Sequence, residues 1–179
     1  MPLRRLLTPL LLVAVVIMGG AGCTPEPEPT PTPTGFANAD EAFAAAEQTY
    51  RAYVDALNEV DLADPATFEP VYDWSTGDFN SEERRVFSEY HADKLTVSGE
   101  SVVTLVEPVR WDEQEGLIEM AVCVDVSGVD LVDAAGISVV SPDRVDVQST
   151  TVTLSRGSSP TSLLIVDITG REGEPPCSE

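Results

Sequence analysis

Between residues 38 and 93 the apolar side chains recur every three or four positions. Phe43, Ala46, Tyr50, Tyr53, Val54, Leu57 and Val60 form one stripe, while Glu41, Glu47, Arg51 and Asp55 take other faces, which predicts a long amphipathic helix. Asn38-Ala-Asp-Glu41 has the form of a capping box at its start. Asp64-Pro65 predicts a second, shorter helix with Asp as cap and Pro in the first turn, carrying Phe68, Val71 and Tyr72, with Trp74 following. After a turn at Gly77, Asn80 with Glu83 reads as another capping box. It would open a third helix with Val86, Phe87 and Tyr90 on one side, ending near His91 or Asp93.

Beyond Lys94 the period changes to two. Val103, Leu105, Val109 and Trp111 alternate along one predicted strand, and Asp112 to Gly116 reads as a hairpin turn. The returning strand places Ile118, Met120, Val122, Val124 and Val126 on one face and Cys123 on the other. Val147 to Leu154 is Thr-rich and β-branched, Arg156 to Thr161 turns, and Leu163 to Ile168 completes the sheet, with Ser127 to Arg144 left as a long crossover or loop. Helices first and antiparallel strands after predict an α+β fold, with helices packed on one face of a curved four-stranded sheet.

Charge narrows the partners. The 179 residues hold 31 Asp and Glu against 10 Lys and Arg, a formal net charge of −21. Arg4 and Arg5 lie at the extreme N-terminus, and without them eight cations face 31 acids, a side-chain balance of −23. Such a surface repels phosphate backbones, so nucleic-acid binding is excluded.

The N-terminus reads as an export signal over residues 1–22: two arginines, the apolar run Leu10 to Met18, then small residues leading to Cys23. From Leu6 to Ala21 there are 16 residues, interrupted by Thr8 and Pro9, against about 20 needed to cross a bilayer. Ala21-Gly22-Cys23 resembles the end of a bacterial lipoprotein signal, which implies lipidation of Cys23 and anchoring on the extracytoplasmic face of the cell membrane. Gly20 departs from that pattern, where an aliphatic residue is usual, and an ordinary cleaved signal is the competing reading. Residues 23–34 then form a linker, alternating proline with Thr or Glu from Thr24 to Thr34; as polyproline II it spans about 34 Å at about 3.1 Å per residue. The expected organisation is signal 1–22, lipidated Cys23 and stalk to 34, and a domain over 35–179.

With Cys23 lipidated, only Cys123 and Cys177 remain to pair, and a disulfide between them is expected outside the membrane. The order of elements, one long helix, two short ones and a four-stranded meander, resembles the NTF2-like (SnoaL-like) cone fold. The signal, stalk, acidity and late cysteines together resemble small lipoproteins of high-GC Gram-positive bacteria. The cone resemblance implies a hollow between helices and sheet, with Tyr50, Tyr53, Tyr72, Asp73, Trp74, His91 and Asp125 as candidate occupants. A catalytic version would use Asp73 or Asp125 as a proton-transfer base beside a tyrosine hydroxyl. None of these residues lies in a spacing that copies a catalytic motif, so the preferred reading makes them structural.

Nucleophilic and phosphate chemistry lack their parts. There is no G-x-S-x-G or G-x-x-x-x-G-K-[ST], and His91 is the single histidine. Asp125, Asp130, Asp133, Asp143 and Asp146 do not match the spacing of a calcium loop, so no metal and no cofactor is expected. The expected function is a non-catalytic ligand- or partner-binding accessory domain of the envelope, facing an envelope protein or a small apolar ligand. A SnoaL-like isomerase or hydrolase acting on a small apolar substrate is the alternative.

Overall fold

A computed structural model describes residues 35–177; the signal, Cys23 and the whole stalk lie outside the described residues. Helix α1 runs Ala39–Asn58. Asn38 is extended at φ −162° and its side chain accepts from the Glu41 N–H at 2.9 Å, as expected, while the Glu41 carboxylate reaches back one residue past the cap to accept from the Ala37 N–H at 2.8 Å. The buried stripe includes Ala42, Ala46, Tyr50, Tyr53 and Val54, the alanines allowing the helix to lie close on the sheet. Asp64 caps a 3-10 turn, Pro65–Thr67, that leads into α2, Glu69–Tyr72.

Helix α3 spans Gly77–Ala92, one turn earlier than the Asn80 and Glu83 cap implied. The cause is the preceding turn, which the sheet holds: Thr76 N–H donates to Ile165 O at 2.9 Å, and Ile165 N–H to Trp74 O at 2.9 Å. With Thr76 held extended the helix starts at once, and Asn80 and Glu83 become interior positions.

Strands β1 (Thr96–Ser98) and β4 (Asp130–Val132) pair as a short antiparallel ribbon. The segment read as a crossover or loop thus contributes a strand. Strands β2 (Val102–Asp112), β3 (Leu117–Asp125), β5 (Val147–Arg156) and β6 (Leu163–Gly170) form the main sheet in the order β2-β3-β5-β6, antiparallel throughout. Central β3 turns Ile118, Met120, Val122 and Val124 to the helices, where Val152, Leu154, Leu163 and Ile165 join them, all buried. On β2 the expected alternation does not hold. Register shifts at Thr104 and Val109 insert a residue each, and every inserted residue flips the faces beyond it. Val103, Val106 and Trp111 therefore pack on the core, Leu105 sits opposite Cys123 on the outer face, and Val109 is 55% exposed.

A second apolar cluster of Leu62, Phe68 and Tyr72 lies beside the first, with Phe87, Tyr90, Leu95, Val97 and Leu131 packed against it. The Cys123–Cys177 disulfide joins β3 to the C-terminal tail, with Cα atoms 5.6 Å apart. The described residues belong to one compact unit by their own contacts, and the four-stranded sheet, both apolar clusters and the disulfide lie within it.

Candidate functional site

Side chains occupy the space between α1 and the sheet. Tyr50 and Tyr53 lie with ring centroids 6.0 Å apart and are 4% and 6% exposed, amid Met120, Val122 and Val152. Burial pushes the Tyr50 hydroxyl up to about 12, with the neighbouring Thr150 hydroxyl pulling slightly the other way. That Thr150 hydroxyl is buried without a partner in full hydrogen-bond geometry.

Tyr53 donates to the buried Glu83 carboxylate at 2.7 Å, and burial above all, then the charge on Glu83, raises its pKa well above the ordinary tyrosine value. Glu83 also accepts from Ser75 Oγ, which in turn accepts from Asn80 Nδ2 at 2.8 Å. Burial raises the Glu83 carboxyl above the usual carboxylate range, against the pull of the bonds from Ser75 and Tyr53 and the charge of Arg84. This network ties α1 to α3 and the turn between α2 and α3. A buried carboxylate with two hydroxyl donors is a chemically distinctive group that sequence reading missed, because Glu83 passed for a capping residue.

The other candidates disperse. Tyr72 lies under the Arg84 guanidinium, 3.8 Å from its ring centroid. Asp73 is exposed at the end of α2, and Trp74 half-covers the main core. His91 Nδ1 is 2.8 Å from Leu62 O. Asp125 ends β3, its carboxyl held below the usual range by bonds from Ser127. The structure brings Tyr50 and Tyr53 together inside the core, and Tyr72 and His91 together along one shallow groove outside it. It does not gather the set into one hollow. Among the described residues no group of three or more His, Cys, Asp or Glu stands where it could hold a metal ion, and no helix is long and apolar enough to cross a membrane.

The open site is elsewhere. A cleft of about 460 Å³ lies at the C-terminal end of α1, walled by Leu57, Val60, Leu62, Phe87, Tyr90, Val97, Val129 and Leu131. Asn58, Ser98, Gly99, Glu100 and Ser101 add polar atoms, and Glu100 is the one charged residue lining it. The geometry is built. Asn58 clasps Ser101, accepting from its N–H at 2.9 Å and donating to its carbonyl at 3.0 Å. Gly99 has φ +81°, and a Cβ there would meet Gly128 O at 1.8 Å, so only glycine lets the two loops cross. Arg144 donates to Val126 O and Val129 O, both at 2.8 Å, which positions the wall at Val129. Apolar side chains on one part of the wall and polar atoms of Asn58 and residues 98–101 on another suit a ligand of modest size that is partly apolar. Leu57 and Val60 carried a signal, as part of the helical stripe, but the stripe does not reveal which of its members are left uncovered.

No protein-family profile matches the chain, and no curated protein matches it by sequence. Solved structures match in fold. The intermembrane space region of the chloroplast protein ARC6 aligns with TM-score 0.51 and 12% identity, over 72% of this chain and 95% of that one. CagV, a VirB8 homolog of T4SS from Helicobacter pylori, aligns with TM-score 0.45 and 10% identity over 72% of this chain and 99% of that one. Agrobacterium tumefaciens VirB8 aligns with TM-score 0.43 and 12% identity over 81% and 100%. At such identities the likeness concerns fold alone. The class defined is an α+β domain of helices on a curved four-stranded antiparallel sheet, consistent with the NTF2-like cone expected from the sequence.

Proposed function

We propose that this chain is a lipoprotein anchored through Cys23 on the extracytoplasmic face of the membrane. Its domain is a non-catalytic binding module of the envelope, taking an apolar ligand or an apolar segment of a partner in the cleft at the end of α1. One observation carries the reading: the cone interior is occupied by its own side chains while an apolar cleft beside it stands open. The Cys123–Cys177 bridge accords with an oxidising compartment. An isomerase or hydrolase of the SnoaL-like kind would need Asp73 or Asp125 at a hollow, and Asp73 is exposed while Asp125 stands at the end of its strand.

The test uses the neutral dye Nile red with residues 35–179 in oxidised form. Saturable fluorescence enhancement is expected, and Leu57→Trp, which fills the cleft, should abolish it with the circular dichroism unchanged. Enhancement that survives Leu57→Trp would sink the binding reading. Anchoring is separable: Cys23→Ser in the full chain should release the protein from membranes, and retention there would overturn the lipoprotein assignment.

A further inference from the structure

The lip of the cleft carries an open strand edge. In the β1–β4 ribbon Val97 lies opposite Leu131. Leu131 O accepts from Val139 N–H at 2.8 Å, and Leu131 N–H donates to the Asp130 carboxylate at 2.8 Å, so the backbone of Leu131 points away from β1. Antiparallel ladders alternate bonded and non-bonded pairs, which makes Val97–Leu131 the non-bonded pair and turns the Val97 N–H and C=O away from β4. On that side the edge is closed at both ends. Leu95 N–H donates to Tyr90 O at 3.0 Å, and Ser101 is held through both backbone groups by Asn58. Between these two clamps the Val97 donor and acceptor face the space that Tyr90, Asn58 and Val97 line.

Building on the binding role assigned to this cleft, we propose that its occupant is an extended basic segment of a partner protein. The segment adds a strand to β1 at Val97 and lays an apolar side chain into the cleft. Strand addition supplies backbone hydrogen bonds for affinity, and the pocket for an alternate side chain supplies selectivity. Charge sets the class of partner. Glu100 is the charged residue among those lining the cleft, Arg144 and His91 stand behind its wall on the Val129 and Leu62 carbonyls, Glu59 and Asp61 are interleaved with the lining residues Asn58, Val60 and Leu62, and the whole chain carries −21. Cationic residues flanking the apolar anchor gain from this field, and anionic amphiphiles are repelled. The covalent link to the stalk leaves through Gly35, before the first turn of α1, whereas the cleft lies at its last turn about 30 Å away along a 20-residue helix.

The experiment titrates residues 35–179 with an acetylated pentapeptide amide of sequence Lys-Val-Leu-Val-Lys, with Nile red in parallel. The expected result is displacement of the dye and a shifted, exchange-protected Val97 amide. The same peptide N-methylated at its central residue should bind about tenfold more weakly, because it loses a backbone hydrogen bond and gains a methyl at the edge. Val97→Pro should act alike from the protein side, since its lost N–H serves no bond to β4. A glutamate-flanked version should bind at least as weakly, a difference that 0.5 M salt compresses. If Nile red binds but the pentapeptide does not, or binds equally well when N-methylated, strand addition is overturned and the cleft holds a small apolar molecule instead. If the lysine and glutamate versions bind alike, the basic partner is overturned. If neither dye nor peptide binds, both this inference and the binding role fail.

Discussion

The cone interior and the cleft are made of the same material and end differently. Both are lined by side chains of α1 and by β-branched or aromatic partners, and Val60 and Phe87 border both clusters. The interior is roofed by four paired strands of eight to eleven residues. The cleft is roofed by a ribbon of two three-residue strands. At about 3.3 Å per residue a three-residue strand covers roughly 10 Å, about a third of the length of a main-sheet strand. Strand length, more than apolar content, decides which of the two stays open. In this chain the space between helices and sheet, where the cone likeness implies a hollow, is filled by the protein's own side chains.

The contrast breaks most sharply if a change in one region is felt in the other. Leu154→Ala removes a fully buried side chain from the interior and should cost about 3 kcal/mol in urea unfolding, within the range for such cavities. Nile red affinity of the folded fraction should stay unchanged; a tenfold loss would show that the two regions are one cavity. Gly99→Ala attacks the lip instead. It places a Cβ on the Gly128 carbonyl and holds a left-handed φ that alanine resists, so a loss of about 2 kcal/mol is expected together with loss of dye binding. Retained binding would mean the loop crossing does not shape the cleft. Leu131→Ala trims a half-buried wall, with a smaller expected loss of about 1 kcal/mol and a severalfold change in dye affinity. An unaltered affinity would remove Leu131 from the site.

Much of this architecture could be read from periodicity. The α1 stripe, the Asn38 cap, the face pattern of β3 and the pairing of Cys123 with Cys177 all rest on local spacing or elimination, and each is present. The faces of β2 were not legible, because a bulge has no local signature in a run such as Val102-Val-Thr-Leu-Val106. The β1–β4 ribbon joins residues over thirty positions apart through three-residue strands, too short for alternation to register. The cleft depends on that ribbon and was invisible for the same reason. Asn58 and Glu100 gave no sign of it, since an Asn at a helix end and an acid in an acidic chain are unremarkable.

Glu83 offers the finest probe of the boundary, because its network fastens α1 to the helix that walls the cleft. Its carboxyl is raised in the folded state, with burial as the leading cause. The folded protein then holds this proton at pH values where the unfolded chain, with an ordinary glutamate near 4.3, has released it. Stability contributed by Glu83 is therefore greatest below that ordinary value and falls as pH rises through the folded one. The carboxyls of Asp112 and Asp125 are lowered, so their contribution is lost only on the acid side, below their ordinary range. Glu83→Gln keeps the shape, can still accept from Tyr53 and can turn its amide toward Ser75. It should remove the decline above pH 4.3 and leave the acid limb in place, as read from urea midpoints between pH 3 and 8. Superimposable profiles for the two proteins would show that Glu83 titrates as an exposed carboxylate and that the lock between α1 and α3 carries no buried charge.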